Sequence, residues 1–337
     1  MDTVRHIVAI VDPQMRETAA LRRAAALARR GNAALYLLMC AYDAIFDAEL
    51  EVTDPRVQEM AKAHWLEQRR QWLDARAEAL IADGLDVRVE VVWAPRAHEA
   101  ILMRSLALKP DLVIKDLLPR RGSKLQMPMT SGDWRLARSC PAPLMFVRQD
   151  QDLLPQRIAA AVDVSPDANQ VRAALNERVA LLATSLAAQA GAEVRLVYAL
   201  PYLRPTNAVA ASRHLRELYD HARTAAADAF RTFAAQHEIA PDRADWLQRD
   251  GDPALMLSRY VETRHIDLLV VGSAYHTIIG RFLLGSVSED LLRQLRCDVL
   301  LVKPEDFVAQ LASHHDLERL RRHYGDTPQA AATATAD

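Results

Sequence analysis

Glycine is scarce in this chain, ten in 337 residues, about 3 % where ~7 % is usual. Cysteine is scarcer still. The three present, Cys40, Cys140 and Cys297, are too widely spaced for a metal cluster or a disulfide framework. No apolar run approaches the ~20 residues that a bilayer-spanning helix needs. The opening MDTVRHIVAIVDP enters a strand directly, without the basic, apolar and small-residue succession of a secretory signal. Nor does one sign of charge dominate: 42 Lys and Arg stand against 44 Asp and Glu. A general nucleic-acid binder needs a basic surface to neutralise phosphates, and this balance supplies none. These absences predict a cytoplasmic protein with neither a membrane span nor a nucleic-acid partner.

What the chain has is apolar residues, half of the total, arranged as alternating strand and helix patterns. That alternation predicts parallel sheets covered by helices on both faces. Strands are expected at 4–12, 33–40, 85–93, 111–117 and 143–147, with helices over 14–30, within 55–83, over 96–108 and from Ser131. After a polar, proline-containing stretch at 148–156 the order returns. Strands fall at 157–164, 193–200, 244–250, 265–272 and 298–304, and helices near 168–190, 211–237, 253–263 and 286–296. Asp12 and Asp163 end the first strand of each half, and CPAPLMFVRQD answers RCDVLLVKPED at the last. A repeat of ~150 residues reads as two tandem domains rather than a solenoid. The boundaries expected are 1–150 and 156–304, followed by one peripheral helix and an unpatterned tail within 305–337.

Right-handed crossovers favour the strand order 3-2-1-4-5 in each five-stranded open sheet, with strands one and four side by side. Ligands bind outside the carboxyl ends of strands at such a switch point. In the second repeat Asp163 and Gly272 converge there. Three of the ten glycines lie in one loop, Gly272, Gly280 and Gly285, within VVGSAYHTIIGRFLLGSVSEDLL. Gly285-Ser286-Val287-Ser288 suits a helix N-terminus, whose free N–H groups and dipole favour an anion. The same residues equally suit a plain helix cap, and the spacing is neither a P-loop nor G-x-G-x-x-G. Ser286, His276 and Asp163 could be assembled into a nucleophile, base and orienter, but nothing in the sequence fixes that geometry. The eleven histidines form no metal-ligand spacing, so neither catalytic nor metal-binding residues are assigned.

The loop resembles the universal stress protein signature, G-x2-G-x9-G-[S/T], with Tyr275 where the second glycine is expected. AVDVSP (161–166), GDP before a helix (251–253), TSGDWRLARSCPAPLMFV (130–147) and QLRCDVLLVKP (294–304) extend the likeness to tandem, UspE-type members, over about residues 1–304. The resemblance implies an adenine nucleotide such as ATP at the switch point. Asp163 and the backbone at Ala199 would lie on the adenine side, and Gly272, Gly285 and Ser286 against ribose or phosphates. Val164, Val287 and Ser288 complete the candidate set, with Tyr275 and His276 in the loop. It also implies a stress-response role by ligand binding, the two repeats packed as a pseudo-dimer through their last strands, and a possible homodimer. In the first repeat Lys115 stands in for the first glycine, Leu118 for the second and Thr130-Ser131 for Gly285-Ser286, which speaks against nucleotide there. Segments 43–54 and 201–210 are read as lids or pocket walls. Two alternatives stand beside this reading: an apolar or lipid-like ligand or partner-binding scaffold, and a weak ATPase or nucleotidyl-transfer enzyme.

Overall fold

The strand His6–Val11 (β1) is buried at every position but its first, as a strand covered on both faces should be. The computed structural model describes residues 3–47, 54–117, 129–148, 154–165, 169–201, 213–249, 252–273, 275–278, 281–314 and 317–325. The first repeat continues with α1 (Ala19–Gly31), β2 (Ala34–Ala41), α2 (Pro55–Ala82), β3 (Val87–Trp93), α3 (Ala97–Leu108), β4 (Leu112–Asp116), α4 (Ser131–Ser139) and β5 (Leu144–Val147). The second runs β6 (Arg157–Ala161), α5 (Gln170–Ala190), β7 (Glu193–Pro201), α6 (Arg213–Gln236), β8 (Ala244–Arg249), α7 (Pro253–Arg264), β9 (Leu268–Gly272), β10 (Tyr275–Ile278), β11 (Arg281–Leu284), α8 (Ser286–Gln294) and β12 (Asp298–Val302). Two helices follow, α9 (Phe307–His314) and α10 (Leu317–Tyr324).

Each half keeps the expected 3-2-1-4-5 order, and β5 pairs antiparallel with β12 to join the halves in one ten-stranded sheet. Every other pairing in that sheet is parallel. Two apolar layers cover it. One contains Leu27, Leu37, Leu186 and Val270 beneath α1 and α5. The other contains Ile101, Leu136, Phe146 and Leu291 beneath α3, α4 and α8. Among the described residues no helix is long and apolar enough to cross a membrane.

Three local expectations change. Helix α1 begins at Ala19 rather than residue 14, because Asp12 organises a turn first: its carboxylate accepts from Gln14 N at 3.1 Å and its carbonyl from Met15 N at 3.0 Å. The loop after β9 contains an antiparallel hairpin, with Tyr275 opposite Leu284 and Ile278 opposite Arg281. The C-terminal segment is two helices rather than one peripheral helix, and Phe307, Leu311, Leu320 and Tyr324 are buried in the second apolar layer. The predicted lid residues 48–53 and 202–210, the tail from 326, and Leu118 lie outside the described residues.

Candidate functional site

β6 and β9 lie side by side with Ala161 opposite Val271, so Asp163 and Gly272 emerge at the same sheet edge. There they border a cavity of about 500 Å³. Asp163, Ala199, Gly272, Gly285, Ser286, Val287 and Ser288 all line it. Val164 does not: it packs into the apolar layer under α5. Tyr275 and His276 have their backbone in β10, while their side chains lie outside the described structure.

Neither site glycine carries a left-handed backbone; Gly285 sits at φ −57°, and Gly84 and Gly191 are the positive-φ glycines among the described residues. Gly272 serves packing instead. A Cβ there would meet Leu175 Cδ2 at 2.8 Å, closer than van der Waals contact allows, so the missing side chain lets α5 settle onto β9 beside the cavity. Ser288 is also occupied structurally. Its hydroxyl donates to the Gly272 carbonyl at 3.0 Å, and it is buried. That bond ties the two ends of the loop together rather than offering a donor to a ligand. Ser286, by contrast, is exposed at the first turn of α8, whose N-cap Gly285 makes no side-chain cap bond. The leading N–H groups of a helix lack intrahelical acceptors, and here they open on the cavity.

Several cavity residues escape sequence reasoning. Asn176 in α5 accepts from Asp163 N at 3.0 Å and donates to Asp163 O at 2.7 Å, fixing the strand end from both sides. Its signal is a lone amide on a face with Leu175, Val179, Ala180 and Ala183. Ser165 donates to Asp163 Oδ1 through its hydroxyl at 2.7 Å and its N–H at 3.3 Å. Arg172 pairs with Asp163 Oδ2 at 3.1 Å. Spacing gives no hint of this last contact, since the two residues are nine apart in the sequence.

The matching place in the first repeat is a cavity of about 410 Å³ lined by Asp12, Lys115, Asp116, Thr130 and Asp133. Strand register corrects one expected equivalence. β1 sets Ile10 opposite Lys115, whereas β6 sets Ala161 opposite Val271. Asp116, not Lys115, therefore takes the place of Gly272. Its carboxylate accepts from Ala20 N at 3.0 Å at the start of α1. Burial pushes its pKa up, against hydrogen bonds from Thr18 and Ala20. The N-terminus of α4 is closed by a capping box: Asp133 accepts from Thr130 N at 2.7 Å, and Thr130 Oγ1 accepts from Asp133 N at 3.2 Å. Lys115 Nζ completes the cluster 2.8 Å from Asp133 Oδ1. A carboxylate and its own counter-cation thus stand where α8 leaves its N–H groups to the cavity. Asp12 in turn is paired with Arg16.

Beside the second site, Ser273 is fully buried and accepts from Lys303 Nζ at 2.9 Å. Burial pushes the Lys303 pKa down to about 7. The thiols of Cys40, Cys140 and Cys297 are all buried and pushed up, to about 12, 11 and 12, so they behave as apolar core groups rather than reactive thiolates. Among the described residues no group of His, Cys, Asp and Glu could hold a metal ion.

Comparison with known proteins finds one family in both halves of the chain. The sequence profile of the universal stress protein family matches residues 3–148 and again 155–303. Universal stress protein E of Photorhabdus laumondii is 25 % identical over 321 residues, covering 91 % of this chain and 97 % of that protein. The protein of that name from Escherichia coli K12 is 25 % identical over 319 residues, covering 91 % and 96 %. Among solved structures, a functionally unknown Pseudomonas aeruginosa protein superposes with a TM-score of 0.73 at 23 % identity, covering 92 % of this chain and 96 % of its own. A universal stress protein from Archaeoglobus fulgidus gives 0.59 at 16 %, covering 90 % and 98 %. Two family matches in tandem, over nearly all of the paired strands just described, mean that this chain belongs to the universal stress protein family.

Proposed function

We propose that this chain acts in a cytoplasmic stress response by binding an adenine nucleotide, ATP included, in the cavity of the second repeat. The observation that carries this reading is the contrast between two equivalent helix starts. The N-terminus of α8 has no side-chain cap and faces a cavity at the switch point. That of α4 is closed by Asp133 and Lys115. Uncapped N–H groups together with the helix dipole favour phosphate. Asp163 and Ala199 border the other part of the cavity, where a base would present donors and an apolar face. The first repeat serves as a structural partner that does not take a phosphate.

The test is calorimetric titration of ATP into the purified protein and into Gly285→Val, whose branched side chain crowds the N-terminus of α8. Binding that the substitution abolishes supports the reading. A protein that binds no adenine nucleotide, or that binds it undiminished after Gly285→Val, contradicts it.

A second reading, an apolar or lipid-like ligand, rests on the cavity wall formed by Leu175, Tyr198, Leu200, Leu257, Val271 and Leu291. Mass spectrometry of small molecules released from protein purified without added nucleotide separates the two. A nucleotide supports the first reading and an acyl chain the second.

A further inference from the structure

The carboxylate of Asp163 has one oxygen committed to the protein and one held by a residue that can leave. Oδ1 takes both bonds from Ser165, and the backbone is clamped on each side by Asn176. Oδ2 is held by Arg172 Nη1 at 3.1 Å. The Arg172 side chain is 42 % exposed and that of Asp163 51 %. Ion pairs as exposed as this are worth little, because water screens them and both side chains lose freedom. Ser165 and Asn176 keep Asp163 in place when the arginine departs.

Arg172 is the sole Lys, Arg or His among the described residues lining this cavity, as Asp163 is the sole carboxylate. The two balance each other. A ligand that donates a hydrogen bond to Oδ2 displaces the guanidinium and forfeits the small stabilisation of this exposed pair. A ligand that brings its own anion restores the balance. The first repeat reaches the same pairing from a different position. Arg16, four residues after Asp12, holds that carboxylate, whereas Arg172 lies nine residues after Asp163 in α5.

We propose that Arg172 is a specificity-determining residue of the second-repeat cavity, guarding Asp163 Oδ2 and admitting ligands that combine a hydrogen-bond donor with a phosphate: nucleotides rather than nucleosides. This rests on the nucleotide reading above. Arg172 acts twice, as a competitor for Asp163 before binding and as an anion partner afterwards.

AMP and adenosine differ by the phosphate alone, so titration of both into wild type, Arg172→Gln and Arg172→Lys reads the preference directly. Wild type is expected to favour AMP. Arg172→Gln should bind adenosine about fivefold more tightly, the size of one exposed ion pair that no longer has to be broken, and AMP about as before, because the freed carboxylate offsets the lost anion partner; the preference for AMP falls about fivefold. Arg172→Lys keeps the charge and should keep most of the preference for AMP. An Arg172→Gln protein that binds both compounds with an unchanged ratio overturns the proposal while leaving the nucleotide reading intact. Failure of all three proteins to bind AMP, adenosine or ATP overturns both.

Discussion

Tyr36, Glu90 and Arg104 in the first repeat occupy the same places as Arg195, Asp245 and Tyr260 in the second, with the two donors exchanged around a carboxylate. Register fixes the equivalence. Glu90 lies opposite Leu38 and Asp245 opposite Val197, in each case two residues past Tyr36 or Arg195. Glu90 accepts from Tyr36 Oη at 2.7 Å and from Arg104 Nη2 at 2.6 Å. Asp245 accepts from Tyr260 Oη at 2.7 Å, Arg195 Nε at 2.8 Å and Arg264 Nη2 at 3.0 Å. Burial would raise the Asp245 pKa, but the bonds from Arg195 and Tyr260 outweigh it and hold it low. Because Asp245 keeps two partners after losing one, Arg195→Met should destabilise less than Arg104→Met. The latter leaves Glu90 with Tyr36 alone and should cost about 3–5 kcal/mol; equal losses in chemical denaturation would contradict this. The shortage of glycine has a cost at helix ends, where Asn32, Lys109 and His265 take left-handed φ values of 50°, 46° and 52°. Lys109→Gly should therefore stabilise the protein by about 1 kcal/mol, after allowance for the freer unfolded chain, read as a higher Tm. Lys303 gives a pH signature. Its folded pKa of about 7 lies below the 10.5 of the free side chain, so between these values the unfolded chain holds the proton that the folded one has shed. Its contribution rises with pH through that window, and its burial penalty is full below about pH 7. Lys303→Met should make Tm less dependent on pH between about 7 and 8, where free thiols, with a pKa of about 8.5, are still mostly protonated; unchanged pH dependence would contradict it.

At the scale of elements, periodicity located every strand of the main sheet and the helices between them, because burial on two faces writes long apolar runs. The hairpin β10–β11 was not legible. YHTI and RFLL are too short and mixed to be told from loop by pattern alone. Nor was the match of Asp116 to Gly272. The two repeats are 151 residues apart at Ile10 and Ala161 but 156 apart at Asp116 and Gly272, so a constant offset misaligns the fourth strand. Asp163 and Gly272 could be placed at one cavity from the sequence because strand order dictates it, and Gly285 and Ser286 because the family resemblance implies it. Arg172 and Asn176 could not, because their roles depend on which face of α5 turns towards β6. Tyr275 is where the sequence departs from its family signature, in the loop joining β9 to α8. Tyr275→Gly should strengthen ATP binding if the side chain keeps the loop backbone from the phosphates. An affinity unchanged in calorimetric titration would show that it does not.

At the scale of the molecule, the two repeats are bound by more than the β5–β12 pairing. Arg23 of α1 forms a fully buried ion pair with Asp298 at the start of β12, and Arg148 N donates to Asp298 Oδ1 at 2.8 Å. On the other face Arg293 of α8 lies 5.0 Å from the ring of Trp134 in α4. The C-terminal helices leave the second repeat and close on the first, where the Tyr324 carbonyl accepts from Arg104 Nη1 at 2.6 Å. Phe307 is fully buried along that path, so Phe307→Ala should cost about 3–5 kcal/mol. A loss below about 1 kcal/mol would show that the segment is peripheral after all. This joined architecture makes the two cavities equivalent in position and opposite in chemistry, one helix start open and the other closed by Asp133 and Lys115. The most direct test is the stoichiometry of ATP binding by calorimetry, in wild type, in Gly285→Val and in the double variant Lys115→Ala with Asp133→Ala. One nucleotide per chain, lost in Gly285→Val and retained in the double variant, is the predicted result. Two per chain in the wild type, or one that survives Gly285→Val, would contradict the account.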